Sequence, residues 1–131
     1  MSVEKYTYTG ICLQLADHKN YGKVREYLGN LAEDKGLEWI GDLPVVTQAH
    51  KNIQLIYDRM GGQYIYLFYV LSMIDEFSGT SVDTNKMYTI PEFLGILKHA
   101  EEELRKAYTN LGFTEPIKET DINFMTLDHY S

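Results

Sequence analysis

The chain has 131 residues, 44% of them apolar and 24% charged, which gives it the length for one hydrophobic core and an ordinary globular composition. Collagen-like, coiled-coil and disordered classes are excluded on those grounds. The formal net charge of −7 comes from 19 acidic and 12 basic side chains; it disfavours binding along a phosphate backbone and suits a basic partner instead. The acidic excess sits in residues 61–131, which carry eleven acids and five bases, against eight and seven in residues 1–60.

In chain order, residues 3–15 are rich in Tyr, Thr, Ile and Leu around Gly10, and they read as an extended segment broken at the glycine. From Asn20 to Lys35, Val24, Tyr27, Leu28 and Leu31 fall at helical spacing and Gly36 stands where a helix stops, so a helix is expected there. Gly29 lies inside it and costs on the order of 1 kcal/mol against alanine. Residues 37–46, with the single tryptophan Trp39, read as a connecting loop.

Residues 47–77 are the expected spine of the core. Thr47 as a cap, Ala49, Ile53, Ile56, Tyr57 and Met60 on one face, and Gly61-Gly62 as a stop predict a helix over the first half. The second half, QYIYLFYVLSMIDEF, is apolar on nearly every side, and its length favours a second helix wrapped by the others. The competing reading is a β-hairpin pairing residues 53–57 with 64–70 through a loop at 58–63, because Tyr, Ile, Phe and Val are strong strand formers.

Residues 78–87 are polar and turn-rich, and read as a surface loop. The helix that follows is the plainest in the sequence. Thr89 is its cap, Pro91 and Glu92 suit its first turn, and Phe93, Leu97, Ala100, Leu104, Ala107 and Leu111 form its apolar seam. Glu101 with Arg105 and Glu102 with Lys106 are oriented as i,i+4 pairs, and Gly112 marks the end. Residues 113–131 have irregular apolar spacing and are expected to form an extended cover or a partly frayed tail. The fold expected from these elements is a single mainly α domain, a helical bundle around the central apolar segment with a short extended N-terminal piece; α+β with a central β-hairpin is the alternative.

Phosphate-loop, dinucleotide, zinc-protease and nucleophile-elbow motifs are all missing from the sequence. His99 and Glu103, four apart on one helix, with His50 from another, make the sharpest metal hypothesis, a metal-dependent helical-bundle enzyme. A solvated helix face explains the same residues. Cys12 sits beside Ile11 and Leu13 without a basic neighbour and reads as a buried structural thiol; as the one cysteine, it fits a reducing interior, and a cytoplasmic setting is expected. The N-terminal stretch has no signal-peptide pattern, and no apolar run is long enough to span a bilayer.

Eleven tyrosines are many for this length, and tyrosine beside acid makes a good protein-contact surface. The expected function is therefore a small, acidic, non-enzymatic protein-binding module, of the inhibitor or immunity type, that needs no cofactor and meets a basic partner protein. The candidate contact residues are Tyr64, Tyr66, Tyr69, Asp75, Glu76, Glu102 and Glu103. On a helix Tyr64 and Tyr66 would point some 200° apart. The alternative is a binder of a small anionic ligand in an aromatic cavity read by Arg59 or Arg105.

Overall fold

The computed structural model describes residues 5–36, 39–40, 43–44, 52–75, 80–82 and 87–130. Among them are seven strands and two α-helices: β1 (Lys5–Asp17), α1 (Tyr21–Lys35), β2 (Trp39–Ile40), β3 (Leu43–Pro44), β4 (Ile53–Tyr57), β5 (Tyr64–Asp75), β6 (Thr80–Val82), α2 (Ile90–Asn110) and β7 (Ile122–Tyr130). The main sheet is antiparallel in the order β4-β5-β1-β7, with β6 paired to the end of β5; β2 and β3 form a separate two-stranded ladder. Set aside β2, β3 and β6, and the connectivity is βαββαβ, the split βαβ arrangement.

This architecture is α+β, and it overturns the mainly α helical bundle. The segment expected to be its central helix is strand β5, and residues 53–57 of the helix expected before it are strand β4; residues 47–51 lie outside the described set. β4 and β5 form the hairpin of the competing reading, with Ile53 opposite Tyr69 and Tyr57 opposite Ile65. Its loop is organised by Asp58, whose carboxylate accepts the N–H groups of Gly61 at 2.9 Å and Gln63 at 3.1 Å, while Gly62 takes the left-handed turn at φ 63°.

Both sheet faces are covered, so β5 shows no inside-outside alternation. On one side α1 and α2 pack Leu28, Ala100, Leu104 and Ala107 onto Ile11, Leu13, Ile53, Tyr57, Ile65, Leu67 and Tyr69. On the other, Cys12, Ile56, Phe68 and Leu127 are buried under Tyr8, Tyr64, Tyr66, Val70 and Met125. Among the described residues no helix covers this second core; the sheet curls over it instead. Tyr64 lies opposite Asp17 and His129 opposite Tyr6, eleven positions apart along β1, which in a flat sheet separates them by roughly 36 Å at ~3.3 Å per residue. Yet the Tyr64 hydroxyl stands 2.8 Å from His129 Nδ1. Register breaks at Thr9/Gly10 and Gln14/Ala16 supply the bend.

The two helices follow their sequence signals. α1 ends on Gly36 in the left-handed conformation, φ 63°, whose N–H caps the carbonyls of Ala32 and Glu33. α2 starts on Thr89, whose side chain accepts the Glu92 N–H at 3.2 Å. Residues 122–130, read as part of a cover or frayed tail, form a nine-residue strand against β1. Residues 80–82, read as loop, form β6.

Candidate partner-binding surface

Of the seven residues expected to make one contact surface, the five whose side chains are described are spread over several. Tyr64 and Tyr66 share the concave side of β5, as i and i+2 do on a strand, and their rings stack with centroids 4.8 Å apart. This corrects the 200° separation expected on a helix. Tyr69 points the other way, into the helix-side core, where its hydroxyl accepts from Asn52 Nδ2 at 3.1 Å and its ring meets His99 edge-on at 6.1 Å. Asp75 ends β5 with its side chain outside the described set, as is the whole of Glu76. Glu102 is exposed on α2, and half-buried Glu103 pairs with Lys106 at 3.6 Å.

The arginines of the ligand reading lie on different elements. Arg59, in the β4–β5 loop, stands 5.8 Å from the ring centroid of Tyr57; Arg105, on α2, holds Glu101 at 3.1 Å. Of the metal candidates, His50 lies outside the described residues, His99 is exposed and Glu103 is engaged with Lys106. Among the described residues no group of three or more His, Cys, Asp or Glu side chains is placed to hold a metal ion. Within the same residues no helix is long and apolar enough to cross a membrane.

One apolar surface escaped the sequence reading. Met87, Ile90 and Leu94 are 95%, 73% and 59% exposed, with Tyr88 beside them. They gather at the head of α2 because the seam from Phe93 to Leu111 takes the buried face. Ile90 and Leu94, one turn apart, ride on the flank shared with Glu101. The available signal was that Ile90 and Leu94 are large apolar residues off the seam.

A groove of about 640 Å³ opens between β1, α1 and the segment leading from α2 to β7. Tyr27, Tyr108 and Phe113 furnish its aromatic wall: Phe113 meets Tyr27 edge-on at 5.2 Å and stacks on Tyr108 at 5.1 Å. The Tyr27 and Tyr108 hydroxyls are spent on the carbonyls of Leu111, at 2.6 Å, and Glu115, at 3.0 Å. Glu115 and Asp121 are the charged side chains in the lining; Arg59 and Arg105 are not part of it.

The concave face is filled by its own side chains, and its chemistry is set by burial. Desolvation pushes the Cys12 thiol up to about 11 and the Tyr64 phenol up to about 12. Tyr64 therefore stays protonated, its hydroxyl hydrogen-bonded to His129 Nδ1. Burial holds His129 below the usual histidine value, opposed by the charge of Asp58. The neutral ring is thus favoured in the fold, while the unfolded chain takes up a proton near the ordinary value of 6.5. Stability is complete above that value and is lost as pH falls below it towards the folded-state pKa. Urea unfolding between about pH 5.5 and 7.5 is expected to show this decline, no steeper than ~1.4 kcal/mol per pH unit for one proton. H129Q is expected to flatten it; an equal slope in H129Q would assign the decline to other groups.

Comparison with protein-family models, curated proteins and solved structures finds no match to this chain.

Proposed function

We propose that this chain is a small, acidic, non-enzymatic protein-binding module of the inhibitor or immunity type, working in the cytoplasm on a basic partner protein. The observation that carries the reading is the exposed apolar group Met87, Tyr88, Ile90 and Leu94. Large apolar side chains left exposed near one another outside the core mark a contact site, and such residues become binding anchors when a partner excludes water from them. The acidic excess of residues 61–131 supplies the long-range attraction that selects a basic partner and speeds encounter.

The test joins capture to reconstitution. The tagged chain is expected to retain one basic protein from its host lysate at low salt and release it at high salt, as screening of the acidic surface requires. With that partner purified, I90D/L94D is expected to weaken binding at least ~30-fold, the size of a hot-spot loss of about 2 kcal/mol. The melting temperature should barely move, since both side chains are exposed. Undiminished binding by the double variant, or capture indifferent to salt, would remove the support for this reading.

A second reading, a small-ligand binder, draws on the groove. Its volume lies within the range of about 300–1,000 Å³ usual for small-molecule sites. The carboxylates in its lining favour a cationic group over the anion expected from the arginines. A thermal shift with organic ammonium compounds and none with nucleotides would support it.

A further inference from the structure

We infer that the outer edge of β7 receives a basic, extended segment of the partner as an added strand; this rests on the proposal that the partner is basic. β7 closes the order β4-β5-β1-β7, and among the described residues none pairs with its outer edge. Such an edge offers a row of backbone donors and acceptors, and proteins ordinarily guard it with proline, lysine, a bulge or shortness. β7, INFMTLDHY, has none of these: it runs nine residues with no proline or lysine, in unbroken register against β1. The opposite edge strand, β4, is only five residues long.

The side chains beside the edge define what fits. Met125, Leu127 and His129 turn to the concave face. Phe124, Thr126, Asp128 and Tyr130 alternate on the other side, where Phe124 and Tyr130 are 56% and 50% exposed. Thr126 is hydrogen-bonded to Thr9 at 3.2 Å, and Asp128 accepts from Thr7 at 3.0 Å, so the stripe is anchored to β1 and pre-formed. An added strand sets every second side chain beside this stripe. Aromatic or β-branched residues suit the places next to Phe124 and Tyr130, and lysine or arginine the place next to Asp128.

Charge decides between a foreign strand and a second copy. Along β7 and the 3-10 turn that precedes it, Glu119, Asp121 and Asp128 stand against Lys118, and Lys5 of β1 lies 5.8 Å from the Tyr130 ring centroid, so the acidic excess falls between Glu119 and Asp128. Pairing two copies would bring two such rims together on chains of net charge −7, whereas a lysine-bearing strand neutralises one.

The probe is the nine-residue peptide Lys-Val-Lys-Lys-Thr-Thr-Lys-Val-Lys, whose second, fourth and eighth residues set valine, lysine and valine beside Tyr130, Asp128 and Phe124 in an antiparallel pairing, with a companion methylated on every backbone nitrogen, titrated into the 15N-labelled chain. The expected result is amide shifts and exchange protection centred on residues 122–130. Binding should weaken at least tenfold with the methylated companion, which keeps the charge and loses the strand hydrogen bonds. F124K/Y130K, altered only at exposed positions, should weaken it to a similar degree. The inference is overturned if the methylated peptide binds equally, if the shifts lie elsewhere, if no shift appears at millimolar peptide, or if sedimentation shows a dimer that F124K/Y130K dissolves. A chain that takes the peptide at β7 yet captures no basic protein would sink the proposed function alone; the reverse would sink this inference alone.

Discussion

Gly10→Ala is expected to lower the unfolding free energy by about 3 kcal/mol or more, at the upper end of what overpacking costs. A β-carbon at this position would overlap the carbonyl oxygen of Tyr69 and lie 2.9 Å from Phe68 Cε1 and 3.1 Å from the Leu71 nitrogen. Two of those three atoms are backbone, which no rotamer change can move aside. The crowding arises at the register break between Thr9 and Gly10, where Ser72 and Val70 are the successive partners and Leu71 is left between them. β1 and β5 therefore press together at the point where the sheet must bend. A side chain there either opens the ladder or flattens the curl, and flattening separates Tyr64 from His129. The measurement is the urea midpoint at constant m-value, with Gly22→Ala as control, since a β-carbon at Gly22 meets nothing within 4 Å. A Gly10→Ala midpoint matching the control would show that the strands are not pinched at this position.

The same curl explains which parts of the fold were legible. α2 was readable down to its cap because one of its faces meets the core and the other meets solvent. Leu97, Ala100, Leu104, Ala107 and Leu111 therefore record that division directly. α1 was readable for the same reason, with Gly36 as its stop. β5 has no solvent face along its middle. Ile65, Leu67 and Tyr69 go to the helix-side core, and Phe68, with Tyr64, Tyr66 and Val70, goes to the concave one. The result is a run apolar on every side, the signature shared by a doubly covered strand and a wrapped helix. In β4 the neighbours Ile56 and Tyr57 are both buried because they point to opposite cores, and with Ile53 they mimic a helical three-and-one spacing.

The site was less legible than the fold for a related reason. Tyrosine content pointed to β5, but burial consumes Tyr69, and Tyr64 is tied to His129, a residue 65 positions away. No local pattern encodes that pairing. The surfaces left over, the head of α2 and the edge of β7, are defined by what does not pack against them. For Ile90 and Leu94 that was inferable from the seam. For Phe124 and Tyr130 it required knowing that Ile122–Tyr130 is the last strand of a sheet.

Phe68→Ala is expected to cost about 3–5 kcal/mol, the range for emptying a fully buried aromatic site. The ring is wholly buried, tilted against Tyr8 with centroids 6.0 Å apart, and packed with Cys12, Ile56 and Leu127. Among the described residues no helix lies on that side to settle into the vacancy, so the space closes as the sheet itself changes curvature. This sets Phe68 apart from a core residue under α1 or α2, and it carries a second readout in the native state. Cys12 is buried with its thiol pushed up to about 11, which leaves little thiolate at pH 8 and makes it slow towards a disulfide reagent. Loosening the concave core should expose Cys12, so Phe68→Ala is expected to raise its labelling rate at least tenfold under conditions where the helices persist by circular dichroism. Phe124→Ala, which removes a ring that is mostly exposed, should change stability by no more than about 0.5 kcal/mol and leave the Cys12 rate as it was. If Phe68→Ala destabilised the chain while Cys12 stayed as slow as in the wild type, the concave core would be rigid without its largest side chain. The curl would then be held by the backbone register breaks alone.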